Sequence, residues 1–181
     1  MHRTRTGLWI AITVMTLAGA GIGLAAEQEA GMQKEKAFLM KAAGGQKGEI
    51  ALGQMAAERA ESDKVKQFGH RMIEDHQKAS QEVSKLASQE GIDLPSGMPT
   101  MQKEKAQQLS QLSGKDFDRA YITYMLREHM KDVTEFEHSA KHLTDPQVQQ
   151  WASATLPVLK EHLKIARNIA DGLRIDTQKA E

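Results

Sequence analysis

Residues 62–91 read SDKVKQFGHRMIEDHQKASQEVSKLASQEG. In this stretch Val65, Phe68 with Gly69, Met72, His76, Ala79, Val83 and Leu86 recur every three or four positions, which sets them on one face of an α-helix. Ser62 stands where a cap belongs, and Gly91 supplies a stop after about Glu90. An amphipathic helix of this length needs other helices to cover its stripe. The flanking sequence supplies three.

Upstream, Lys34 to Ala60 contains no Pro and carries the line Phe38, Ala42, Gln46, Glu49, Gly53, Ala56 and Ala60. Gly44, Gly45 and Gly48 weaken this first helix by roughly 1 kcal/mol each relative to Ala. Only a few residues join it to the helix after Ser62, so the two pack antiparallel. Downstream, IDLPSGMPT (92–100) is a loop with two Pro, and a short helix follows over about 101–112. A third long helix starts at Ser113 with the stripe Ile122, Met125, His129, Val133, Phe136 and Ala140. Thr144 as cap, Pro146 in the first turn and Gln147 at the capping-box position open a fourth. Its stripe is Val148, Ala152, Thr155, Leu159, His162, Ala166, Ile169 and Leu173, and Pro157 predicts a kink. The expected fold is all-α, an antiparallel up-down-up-down four-helix bundle over 37–173 with a short extra helix in its long crossover. A lead-in (27–36) precedes it and a tail (174–181) follows.

Composition agrees. Four Phe, two Tyr and two Trp leave little for sheet to build on, and Ala, Gln, Lys, Glu, Leu and Met dominate. The start has a different character. His2, Arg3 and Arg5 precede an uncharged apolar run from Gly7 to Ala26, and the first carboxylate is Glu27. That order predicts a secretory signal peptide over 1–26, cut after Ala25 or Ala26, and hence a periplasmic or exported bacterial protein with no membrane span after cleavage. The chain has no Cys, so neither a lipoprotein anchor nor a disulfide framework is available. Without Arg3 and Arg5, 22 basic residues face 24 acidic ones, which lacks the basic footprint of a nucleic-acid binder.

Each long helix carries one proton- or metal-binding residue within its apolar line: Glu49, His76, His129 and His162. If the turns near Glu61 and Leu143 share one end of the bundle, these residues lie roughly 19, 22, 22 and 28 Å from it. Three imidazoles and a carboxylate in one core layer suit copper, zinc or iron. Met72 and Met125, each four residues before a His, add soft thioethers nearby and favour copper; Asp75 is read as an outer acid beside His76. His70, His138 and His142 fall off the stripes and are read as surface residues. An oxygen-activating di-iron centre needs Glu three positions before a His on two helices. Ile73, Leu126 and Leu159 occupy those positions here. No nucleophile signature or phosphate loop appears, and no catalytic residue is assigned.

The segments FLMKAAGGQKGEIALGQMAAERA (38–60), VKQFGHRMIEDHQKAS (65–80), LSGKDFDRAYITYMLREH (112–129) and LPVLKEHLKIA (156–166) together resemble the bacterial family called domain of unknown function 4142. The resemblance implies an exported, ferritin-like helical fold and no established activity. Its recurring positions map onto Glu49, Asp75, His76, Phe117, Asp118, Tyr121, His129, Pro157 and His162. Two functions follow as expectations. One is a metal-binding bundle with Glu49, His76, His129 and His162 as ligands and no turnover. The other is a structural or stress-response envelope protein whose polar layer is only a hydrogen-bonded network.

Overall fold

Burial of the four stripes organises the chain. The computed structural model describes residues 18–176 and contains five helices and, among the described residues, no strand. They are α1 (Ala18–Arg59), α2 (Asp63–Gln89), α3 (Thr100–Ser110), α4 (Gly114–His142) and α5 (Pro146–Gly172). Every stripe residue is buried except Leu86, Val133, Ala140 and Leu173, which are half-buried. Residues 1–17 of the expected leader lie outside the described residues. Residues 18–26 form the first turns of α1, and among the described residues no helix is long and apolar enough to cross a membrane.

α1 packs along α2 and α4 along α5, and the two hairpins meet through α2 with α5 and α1 with α4. The α1–α2 contact is close because two glycines face each other. A Cβ on Gly69 would lie 2.7 Å from the Gly53 carbonyl oxygen, and one on Gly53 would lie 2.9 Å from that of Gly69. Gly44 and Gly48 receive the crossover instead. A Cβ on Gly44 would meet the Pro99 ring at 3.3 Å, and one on Gly48 would overlap the Gln102 side chain. These helix-weakening residues therefore allow close packing on α1.

The alternating up-down-up-down order does not hold. Asp118, near the start of α4, accepts hydrogen bonds from the backbone N–H groups of Glu61 (3.1 Å) and Ser62 (2.8 Å), so α4 begins at the α1–α2 turn. The α4–α5 turn lies at the other end. There Glu35 of α1 accepts from the backbone N–H of Thr144 and of Asp145 and from the Thr144 hydroxyl, and Phe38 meets Phe136 edge-on at 5.1 Å. α5 returns, and Arg119 donates to the Leu173 carbonyl. The order is up-down-down-up, and the crossover is the reason. A connection that includes an eleven-residue helix runs the length of the molecule and brings the chain back to the end it left.

Three further local readings change. The lead-in is helical, since 27–36 holds good helix formers and no Pro, and its Glu35 anchors the far turn. The cap of α5 is Asp145, not Thr144: its carboxylate accepts from Gln147 (2.8 Å) and Val148 (2.9 Å), while Thr144 is engaged by Glu35. Neither Ser62 nor Ser113 makes a side-chain cap bond, and Asp118 of another helix instead accepts from the N–H groups of Glu61 and Ser62, just before α2. Apart from these three, the kink expected at Pro157 falls inside α5, which runs from Pro146 to Gly172. Ser153 and Pro157 are both exposed, so the missing backbone bond lies on the wet side.

The apolar core is in two parts. One, around Leu52, Phe68, Phe117, Tyr121, Met125 and Ala166, fills the end at the α1–α2 turn. The other, around Phe38, Val83, Phe136, Trp151 and Leu159, fills the end at the α4–α5 turn. Gln46, Glu49, His76, His129 and His162, all at most 4% exposed, lie between them.

Candidate metal centre

The corrected helix directions account for this layer. His129 stands eleven residues after Asp118 and His162 eleven before Leu173, and both reference points lie at the α1–α2 end, so each is about 16 Å down. Glu49 and His76 sit at about 18–21 Å by the same rise per residue. His162 is no longer the outlier that the alternating order made it.

The hydrogen bonds fix the tautomers. His129 Nδ1 lies 3.0 Å from the Met125 carbonyl, which only accepts, so Nδ1 carries the proton and Nε2 a lone pair. His162 Nε2 lies 2.8 Å from the Asp75 carboxylate and donates to it, leaving Nδ1 bare. His76 Nδ1 faces two acceptors, Gln46 Oε1 at 2.5 Å and Glu49 Oε2 at 3.1 Å, and its buried Nε2 has no partner. Each imidazole thus commits one nitrogen to a protein acceptor and keeps the other free. One nitrogen from each of the three lies within 4.8 Å of the others. The bare His129 Nε2 and His162 Nδ1 face each other at 3.3 Å with no proton to share between the neutral rings.

Electrostatics keep the rings neutral. Burial drives His129 down to about 3, with His162 adding to the effect and the Met125 carbonyl opposing it. His76 lies well below its usual range because of burial and then of the two neighbouring imidazoles. Burial also lowers His162, against the pull of Asp75. For Asp75 burial acts upward, but hydrogen bonds from Arg71 and His162 outweigh it and hold the carboxyl below its ordinary value. A charged Asp75 is the acceptor that orients His162.

Glu49 shares the layer but not the converging nitrogens. It faces the proton-bearing side of His76 and lies 4.0 Å from His129 Nδ1, and it groups with His129 and Asp132. Burial, then the Asp132 and Glu128 charges, push its carboxyl well above the usual range. Asp132 is pushed up to about 7 by burial and by Glu128 and Glu135, with Lys41 opposing. Met72 and Met125 are fully buried beside the layer, and Met125 serves His129 through its carbonyl. His70, His138 and His142 are exposed, the last two stacked with ring centroids 4.3 Å apart. Phe117 stacks on Tyr121 at 5.8 Å, and Tyr121 meets Phe68 edge-on at 6.3 Å, one turn from the Asp118 cap.

Asp132 and Gln102 were not anticipated. Asp132 is three residues after His129 on the same face, so its spacing is readable once positions after a His are considered as well as those before it. Gln102 depends on where the crossover helix lies on α1, which helical periodicity does not encode.

The family model described as Domain of unknown function (DUF4142) matches residues 23–169. The chain belongs to this family. All nine positions singled out for the DUF4142 resemblance fall inside the matched span, and five of them, Glu49, Asp75, His76, His129 and His162, meet at the polar layer. Two others, Phe117 and Asp118, with Tyr121, join the start of α4 to α2. No curated protein matches the chain, and no solved structure does.

Proposed function

We propose that this DUF4142 chain is an exported, ferritin-like four-helix bundle that binds one transition-metal ion through His76, His129 and His162, without turnover. One observation carries the reading: three neutral imidazoles, each with its outer nitrogen committed to a protein acceptor, present lone pairs to one another inside the buried core. Two nitrogens on one tetrahedral ion, each about 2.0–2.1 Å from it, stand about 3.3–3.4 Å apart. The bare nitrogens of His129 and His162 are 3.3 Å apart. Copper, zinc and iron all accept imidazole, and the outer acceptors Asp75, Gln46 and Glu49 are of the kind that orient ligating histidines.

Two antiparallel hairpins joined by one long crossover support the ferritin-like reading. The basic start, the apolar run to Ala26 and the acid after it support export to the bacterial envelope, with residues 1–26 as the leader.

The test is elemental analysis of tag-free protein grown with zinc, copper or iron, compared with His129→Ala. One ion per chain in the parent and none in the variant is expected. No retained metal under any supplement, with a melting temperature that metal and chelator leave unchanged, overturns the reading and leaves a purely structural polar layer.

A further inference from the structure

Beside Glu49, whose Oε1 lies 4.0 Å from His129 Nδ1, a cavity of about 200 Å³ lies among α1, α4 and the crossover. Four carboxylates line it, those of Glu49, Glu128, Asp132 and Glu135, together with Gln102 of α3. Gln102, only 7% exposed, turns a buried Oε1 to this wall that accepts no hydrogen bond. Glu49, 4% exposed, has only the Asp132 carboxyl as a partner here, so a proton shared between two buried acids stands where a cation could sit. Glu49 and Asp132 each offer an oxygen within 4.8 Å of the other. The one cation at the wall, Lys41, is engaged by Glu135 at 2.6 Å.

Buried acceptors without donors are costly unless something positive meets them. A cavity of this size admits an ion with some of its water, since one water takes up about 30 Å³. We propose that Glu49 and Asp132, with the Gln102 amide oxygen, form a second cation site distinct from the histidine centre. Its donors are all oxygen, so it takes a hard divalent ion of the Mn²⁺ class, whereas the imidazole centre takes softer ions. His129 is not a ligand here, because its Nδ1 proton is given to the Met125 carbonyl. The site opens to solvent under α3 and shares Glu49 with the histidine layer.

Mn²⁺ titration of the zinc-treated full chain, read as loss of the free-ion electron paramagnetic resonance signal, tests this. One Mn²⁺ per chain is expected, weakened at least about tenfold in Asp132→Asn while zinc is retained. If Asp132→Asn does not fold, Gln102→Met removes the amide oxygen at similar length and is expected to weaken Mn²⁺ severalfold. No Mn²⁺ bound by the parent, or equal binding by parent and folded variant, overturns the second site. Zinc retained without Mn²⁺ binding refutes this site alone. Mn²⁺ bound without zinc retention refutes the histidine centre alone.

Discussion

At the scale of single residues, the layer is held by two sets of groups whose protonation opposes each other. His129 titrates near 3 in the fold and about 6.5 when unfolded, so acidification through that range loads the unfolded chain first and lowers stability. Asp132 has the opposite sign. Its folded value of about 7 exceeds an unfolded value of about 3.9, so its contribution is present at low pH and is lost as pH rises through that window. Over the shared range the two slopes offset. Metal-free Asp132→Asn is therefore expected to lose stability more steeply than the parent between about pH 6.5 and 4, which urea titrations at several pH values would measure. Equal slopes for parent and variant would contradict the assignment.

At the scale of elements, two contacts decide how the helices meet. Asp118 accepts the Glu61 and Ser62 N–H groups of the α1–α2 turn from the next hairpin, a contact that spans 56 residues of sequence at Ser62. Asp118→Ala removes two charge-assisted bonds and is expected to cost roughly 2–4 kcal/mol, read by chemical denaturation. A loss under about 0.5 kcal/mol would show that water replaces the carboxylate there. Gly69→Ala tests the glycine contact. Helix propensity alone favours Ala by about 1 kcal/mol. A Cβ at 69 would instead lie 2.7 Å from the Gly53 oxygen and 2.9 Å from the Ala57 nitrogen, both backbone atoms. A net loss of about 1–3 kcal/mol is expected, and a gain would mean that α1 and α2 separate freely.

At the scale of the whole molecule, the stripes showed which residues face inward, because a 3.6-residue period is a local property of each helix. They also identified His76, His129 and His162 as layer residues, since each His interrupts an apolar line. Helix direction was not legible in this way. It depends on how far the segment from Ile92 to Ser113 travels, and a loop with a short helix reads the same whether it turns back or runs the length of the bundle. Capping at Ser62 was misread for a related reason. The acceptor that ties this turn down, Asp118, takes the Glu61 and Ser62 N–H groups and is remote in sequence, near only after folding. Glu49 was placed in the correct layer, but which nitrogen of His76 it faces depends on side-chain geometry that spacing does not set. The two apolar cores and the polar layer between them give the molecule one central feature, three neutral imidazoles turned toward one another. X-ray absorption at the zinc edge of the reconstituted chain tests it most directly. The account predicts one ion with three imidazole nitrogens at about 2.0–2.1 Å. A shell of oxygens without imidazole scattering, or no retained zinc, would contradict it.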